Sequence, residues 1–231
     1  MYYYYFDFTY ILVIFGAILT LLAQWYVSHT FKKYSRVRTY SGMSGAETAD
    51  RILKNNGYHE IQLRSVRGNL TDHYDPRNGT VNLSESVCHV RSVAAVSVAA
   101  HECGHVCQHE EGYAPLAIRT ALVPIANFGS NAGIWIVILS LLLGLAYPFA
   151  MIGVVLFSFG VLFQIVTLPV EFNASSRGLR MLDQYGILTP DEMSMARKVL
   201  RAAALTYVAA AASPILQLLR LLLIVGGRRR D

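Results

Sequence analysis

The sequence predicts a mainly α-helical integral membrane protein that carries one small α+β domain outside the bilayer. Of its 231 residues, 54% are hydrophobic and only 15% are charged, whereas about 25% charged residues is usual in soluble domains. Residues 120–170 form a run of 51 positions without a single Asp, Glu, Lys or Arg. The alternative, core helices of a soluble enzyme, fits poorly because the rest of the chain is too short to cover them.

The uncharged run predicts a double transmembrane hairpin over residues 120–170. One bilayer crossing needs about 20 apolar residues, so the run is long enough for two, and we place them at 126–146 and 149–169. Between them, Tyr147 and Pro148 suit a tight turn at the membrane interface.

A further membrane span is predicted in the N-terminal segment 1–28, from Phe6 to about position 27. The tyrosines at positions 2–5 and the Trp25–Tyr26 pair resemble aromatic belts at its two ends. A secretory signal peptide is the competing interpretation, but no basic residue precedes the apolar run.

Basic residues follow this span directly, at Lys32, Lys33, Arg36 and Arg38. By the positive-inside rule they place the N-terminus outside and the chain from residue 28 onward in the cytoplasm. The net charge of +5 is explained by basic residues beside membrane spans, which attract anionic lipid, and no nucleic-acid-binding module is recognised.

The last apolar stretch, 203–226, is ambiguous. It carries Pro214, Gln217 and Arg220, and a straight span would export the arginines at 228–230, against the charge rule. A helix lying in the interface, or a re-entrant hairpin, would keep them inside. We therefore predict a membrane-embedded or interfacial C-terminal helix with a basic tail over 203–231.

The predicted soluble domain spans residues 29–119 and is completed by helices over 171–202. Capping and turn signals mark its elements: the Ser44–Glu47 capping box, Gly57 as a left-handed helix end, and Pro190 at a first helical position. The predicted elements are a helix over 44–55, strands near 61–66, 70–74 and 80–83 with a turn at 75–79, a helix from Ser84 to Gln108, a helix at about 171–183, and a helix from Pro190.

The most informative motif lies in the helix predicted from Ser84. His101, Glu102 and His105 form the pattern H-E-x-x-H. Histidines at i and i+4 lie one turn apart on one helical face and can bind one Zn²⁺, and the neighbouring glutamate can act as general base on metal-bound water. The pattern predicts a zinc-dependent peptidase. A chance match is less plausible, because such polar groups in an apolar helix would be costly without partners.

A catalytic zinc needs a third protein ligand. His109 is unsuitable, because it lies about 12 Å along the helix axis from His101, and Gln108 and Glu111 rule out the extended metzincin pattern. Glu171 is the first charged residue after the uncharged run. Two crossings return the chain to its starting side, so Glu171 is predicted to emerge on the same membrane face as the motif helix.

These features resemble a known family. H-E-C-G-H, the double span and the sequence from Glu171 to Ser175 are similar to the bacterial neutral zinc metallopeptidases of the YugP type, and more distantly to the HtpX and CAAX prenyl protease group. The resemblance implies a zincin-like (gluzincin) metalloprotease domain with Glu171 as zinc ligand. Ser175 stands where the wider group has an aspartate that orients the first histidine. It is a weaker acceptor, so the partner of His101 stays unnamed.

The predicted function is a multi-pass metalloendopeptidase of the inner membrane with its active site on the cytoplasmic side. Its partners would be a membrane-associated peptide or protein substrate and the lipid bilayer. Quality control of membrane proteins and processing of a defined precursor both stay open, and the oligomeric state is not predicted. An oxyanion donor is expected, with four candidates: Tyr113, Asn173, Arg177 and His73. The strand near 79–84 could be an edge strand that pairs with substrate, or merely structural.

Two functions from other classes remain as alternatives. A membrane scaffold with a structural zinc site would use four protein ligands, and Cys103 and Cys107, which share a helical face, could supply sulfur. The three cysteines form no disulfide framework. A transporter would need ionisable residues within its spans, and the uncharged run has none.

Overall fold

The fold is taken from a computed structural model that describes residues 7–227. The predicted tyrosine belt at 2–5, the first residue of the N-terminal span and the arginine tail lie outside the described residues. In the described part of the chain the elements are α1 (Tyr10–Tyr34), α2 (Gly45–Asn55), β1 (Gln62–Val66), β2 (His73–Asp75), β3 (Thr80–Ser84), α3 (Val93–Glu110), α4 (Ala114–Leu142), α5 (Tyr147–Gln184) and α6 (Pro190–Gly227).

The chain divides into two compact units. The described part of the first comprises residues 7–24, 117–168 and 206–227, and the second comprises Trp25–Leu116 and Pro169–Leu205. Between residues 7 and 227, four helices are long and apolar enough to cross a bilayer: α1, α4, α5 and α6. Together with one small sheet, they confirm the predicted fold class of a mainly α membrane protein with a small α+β part.

Within the first unit, α4 and α5 approach each other closely at glycines. A Cβ atom on Gly133 would lie 2.6 Å from the Gly153 carbonyl oxygen, so a larger residue could not be accommodated there. Small residues of this kind let membrane helices pack backbone to backbone. The turn that joins these helices lies at 143–146, with Gly144 at φ 65°. Tyr147 and Pro148, predicted to form that turn, instead begin α5, because a proline is tolerated in the first helical turn.

In the same unit, α1 and α6 run antiparallel. Gly16 packs against Ser213, and the Asp7 carboxylate pairs with the Arg220 guanidinium at 3.1 Å. Helix α6 continues without interruption from Pro190 to Gly227 and retains Pro214 inside it. A re-entrant hairpin is therefore not formed among the described residues. The Arg220 guanidinium, about two turns before the end of α6, lies over the ring of Tyr10 at the start of α1.

The second unit is built on a three-stranded sheet of order β1-β3-β2. Strand β3 pairs in parallel with β1 and antiparallel with β2, and every residue of β3 is buried. The suggestion that the 79–84 strand is a substrate-binding edge is wrong, since it is the central strand. Its buried face joins α2 and α3 in one apolar core that includes Ile52, Leu83 and Val96.

Helix α3 begins later than predicted. Ser92 caps it by accepting a hydrogen bond from the Ala95 amide at 3.2 Å. Ser84, the predicted start, ends β3, and its amide and hydroxyl both donate to the Asp72 carboxylate, at 2.7 and 2.9 Å. The Ser84 hydroxyl therefore bonds a carboxylate outside the helix, whereas the Ser92 hydroxyl accepts from the first turn of α3, as a helix cap does.

The helices after the membrane hairpin also differ from the prediction. No separate helix begins at 171, because α5 continues from Tyr147 to Gln184 with Pro169 inside it. The predicted start at Pro190 is confirmed for α6, and the Ser44–Glu47 capping box of α2 is present in both directions. Glu171 consequently lies inside a helix, so it is not a residue that merely caps a helix start.

Candidate active site

The candidate site lies in the second unit, where α3 and the last part of α5 pack closely together. A Cβ atom on Gly104 would lie 2.9 Å from the carbonyl carbon of Ala174, and one on Gly178 would lie 2.8 Å from the carbonyl oxygen of Ala100. The two glycines therefore allow backbone-to-backbone contact. This contact places α5 directly beside the H-E-x-x-H residues.

Three predicted ligands converge at this contact. The Nε2 atoms of His101 and His105 lie 3.3 and 3.5 Å from Oε2 of Glu171. One ligand atom from each residue lies within 4.8 Å of the others, and the carboxylate is buried. The prediction that Glu171 returns to the motif helix agrees with this geometry.

The spacing fits a tetrahedral zinc ion. Zinc binds imidazole nitrogen and carboxylate oxygen at about 2.1 Å, and two ligands of a regular tetrahedron at that distance are about 3.4 Å apart. The two observed separations, 3.3 and 3.5 Å, lie on either side of this value. Two histidines and one glutamate also form a donor set that zinc hydrolases use while leaving a coordination position open.

Each histidine is oriented through its other ring nitrogen. Nδ1 of His101 lies 3.0 Å from the Ser175 hydroxyl oxygen, and Nδ1 of His105 lies 3.0 Å from Oε1 of Gln108. Ser175 is thus the partner of His101 that the sequence left unnamed, in spite of being a weaker acceptor than an aspartate. Sequence reasoning missed Gln108 as the partner of His105, although its i+3 spacing was a usable signal.

Glu102 is buried beside the two histidines. Burial raises the pKa of its carboxyl above the ordinary glutamate value, while the neighbouring His101 and His105 oppose the shift. A raised pKa makes a carboxylate a stronger base, which suits a group that must accept a proton near neutral pH.

The cysteines lie away from the ligand atoms. The Cys103 thiol points to the carbonyl oxygen of Ala49, at 3.9 Å, and the Cys107 thiol lies 3.7 Å from the Met181 sulfur. Cys88, Cys103 and Cys107 are all buried and none forms a disulfide. Within residues 7–227, the ligand cluster contains no cysteine. His109 is also separate, since its ring packs on the edge of Tyr74.

All four oxyanion candidates have other partners. Oδ1 of Asn173 accepts hydrogen bonds from Gln108 and from Arg177, and Arg177 also pairs with Glu111 at 2.7 Å. The Arg177 guanidinium lies over the ring of Tyr113, 5.9 Å from its centre. These three residues therefore belong to one hydrogen-bonded and cation–π cluster behind His105. His73 is exposed on the edge strand β2 and bonds the carbonyl of Thr71.

Four apolar helices, a small sheet and a His-His-Glu cluster together define an integral membrane protein of the metallopeptidase class. A sequence model of the family described as "putative neutral zinc metallopeptidase" matches residues 9–226, and the chain belongs to that family. This confirms the resemblance predicted from the sequence.

A curated relative supports the same conclusion. The chain is 47% identical over 206 residues to "Putative membrane protease YugP" of Bacillus subtilis (strain 168). The aligned region covers 89% of this chain and 91% of that protein. No solved structure matches the chain.

Proposed function

We propose that this protein is a zinc-dependent endopeptidase that cleaves membrane-associated proteins at the cytoplasmic face of the inner membrane. His101, His105 and Glu171 would hold the metal, and Glu102 would act as general base. The convergence of the two Nε2 atoms on Oε2 of Glu171 carries the proposal. Membership of the metallopeptidase family supports it independently.

The chain's own groups divide the chemistry between them. A bound zinc ion would supply Lewis acidity, which polarises a peptide carbonyl and makes water a stronger nucleophile. Glu102 removes the proton from the attacking water and then returns it to the leaving amine. Ser175 and Gln108 hold the imidazoles of His101 and His105 so that both Nε2 atoms face the metal position.

The cytoplasmic assignment rests on charge. Lys32, Lys33, Arg36 and Arg38 follow the first apolar segment, and the positive-inside rule favours their position in the cytoplasm. In this proposal, residues 29–119 and 171–202 form the catalytic domain, while 1–28, 120–170 and 203–231 associate with the membrane. The antiparallel contact between α1 and α6 favours a fourth crossing for the C-terminal segment over an interfacial position.

The alternative of a non-catalytic scaffold would require a closed zinc site. Its predicted fourth ligand, Cys103, is directed at the carbonyl of Ala49. No observation among the described residues favours this alternative.

The decisive experiment compares wild type with Glu102→Gln, using full-length protein in detergent. We expect the variant to bind one equivalent of zinc and to lose about 10²–10⁴-fold in cleavage rate, the usual contribution of a general base. Zinc content is measured by metal analysis, and cleavage with a quenched-fluorescence peptide library. Glu110→Gln is the matched control, because Glu110 is an exposed glutamate on the same helix. A Glu102→Gln protein that cleaves as fast as wild type would exclude the mechanism.

A further inference from the structure

Gln108 is a fully buried polar residue at the C-terminal end of α3. All of its side-chain polar atoms have close partners. Its Nε2 donates to the carbonyl oxygen of Val170 at 2.8 Å and to Oδ1 of Asn173 at 3.0 Å, and its Oε1 lies 3.0 Å from Nδ1 of His105. One amide side chain therefore links the second histidine of the motif to the helix that carries Glu171.

The chemistry of these partners fixes which way the amide faces. A backbone carbonyl only accepts hydrogen bonds, so the NH₂ group of Gln108 must face Val170. Its oxygen must then face His105, and an oxygen can only accept. Nδ1 of His105 therefore carries the hydrogen, which leaves Nε2 with a lone pair directed at the metal position.

Arg177 determines which groups donate and which accept in this series of hydrogen bonds. A guanidinium group only donates hydrogen bonds, and Nε of Arg177 lies 2.7 Å from Oδ1 of Asn173. The same oxygen is thereby presented to Gln108. Arg177 is itself held by Glu111 at 2.7 Å and by the ring of Tyr113. A permanently charged donor therefore lies at the end of this hydrogen-bond series that is farthest from His105.

We propose that Gln108 is a positioning residue for the metal site, and that Asn173 and Arg177 fix its orientation. This series of hydrogen bonds would hold His105 in its metal-binding tautomer. It would also link α3 to the backbone beside Glu171. The proposal rests on the zinc site of the proposed function. Nδ1 of His101 is paired with a hydroxyl, that of Ser175, and not with an amide, so the two histidines are oriented by different groups.

The consequence for substitutions is specific. Gln108→Leu keeps most of the volume and removes the acceptor of the Nδ1 hydrogen, so zinc affinity should fall about 10–100-fold, as is typical when such a partner is lost. Asn173→Asp keeps an acceptor oxygen for both Gln108 and Arg177 and should remain within about threefold of wild type. Asn173→Leu removes that oxygen and should weaken zinc binding by about tenfold.

The test measures zinc dissociation constants by chelator competition on full-length detergent-solubilised protein. The variants are Gln108→Leu, Asn173→Asp and Asn173→Leu, and Ser176→Ala is the control because Ser176 is exposed on the same helix. Thermal unfolding of the zinc-free proteins separates lost folding from lost positioning. The visible spectrum of cobalt-loaded protein reports the ligand geometry without any assay of activity.

The pair at position 173 decides the outcome, since both variants are similar in size. A purely space-filling role would give them equal zinc affinity, and equal affinity would overturn the proposal. Zinc binding by a folded Gln108→Leu protein at wild-type strength would also overturn it, while leaving the zinc site itself intact. If wild type and His101→Ala alike fail to bind zinc, the proposed function fails and this proposal with it.

Discussion

Replacing Gly104 by alanine tests how closely the two ligand-bearing helices must pack. The added Cβ would lie 2.9 Å from the carbonyl carbon and 3.0 Å from the Cα of Ala174, whereas ordinary contacts of this kind begin at 3.4 Å. These are backbone atoms three residues after Glu171, so no side-chain rotation relieves the contact. The helices must therefore separate by about 0.5 Å or more.

That displacement is small for packing but large for a metal site. Overpacking of this kind costs about 1–3 kcal/mol in the free energy of unfolding. Metal–ligand distances must stay within about 0.2 Å of their ideal values, so a shift of Glu171 by about 0.5 Å should weaken zinc binding by about tenfold or more. Gly178→Ala should act in the same direction, because its Cβ would lie 2.8 Å from the Ala100 carbonyl oxygen.

The measurement is zinc affinity by chelator competition, together with the thermal unfolding temperature. Gly226→Ala is the matched control, since this helical glycine has no atom within 4 Å of an added Cβ. Its zinc affinity should equal that of wild type. If Gly104→Ala bound zinc within about twofold of wild type and unfolded at the same temperature, the close-packing argument would be refuted.

Substitutions at three further positions probe the ligands, their partners and a neighbouring cysteine. Glu171→Ala removes one of three ligands and should weaken zinc binding more than any partner substitution, by more than about 100-fold; metal analysis that still finds one tightly bound zinc would contradict its role. Cys103→Ser should leave zinc content unchanged, because the thiol faces Ala49; loss of the metal would instead indicate sulfur ligation. Ser175→Ala removes the acceptor for His101 and should weaken zinc binding by about tenfold, whereas Ser175→Asp should bind at least as tightly as wild type. Equal affinities for all three proteins would show that the hydroxyl does not orient His101.

The parts of the site that could be predicted from the sequence depend on local or topological signals. His101 and His105 lie four residues apart in one helix, so their spacing alone fixes a common face, and Glu102 follows the first of them directly. The position of Glu171 followed from counting crossings, which needs only the uncharged run. The capping box at Ser44 could likewise be read from four consecutive residues.

The features that were missed depend on contacts between distant residues. The start of α3 was misplaced because Ser84 and Ser92 are both plausible caps, and only the Asp72 carboxylate, which bonds Ser84, distinguishes them. The central position of β3 is a matter of strand pairing, which no single segment encodes. The i+3 spacing of Gln108 shows that it can reach His105, but the orientation of its amide becomes clear only when Asn173 lies beside it.

The sequence predicted the apolar segments of the membrane helices, but it did not predict how far the helices extend beyond them. An apolar span is recognisable from composition, yet nothing in the sequence marks where α5 leaves the apolar segment, because helix-forming residues continue from Val170 to Gln184. Pro169 suggests a break at that point, since proline removes a backbone donor. The helix continues through it, so Glu171 is held on the same helix as the second apolar segment.

The two groups that orient the histidines share a property with a practical consequence. Both the Ser175 hydroxyl and the Gln108 amide are uncharged, and neither gains or loses a proton over the pH range in which proteins are stable. Metal binding will therefore not be modulated by ionisation of these partners. As the solution becomes more acidic, zinc retention should depend on proton competition at the three ligands and on the charge of the neighbouring Glu102, and not on the groups that orient the histidines.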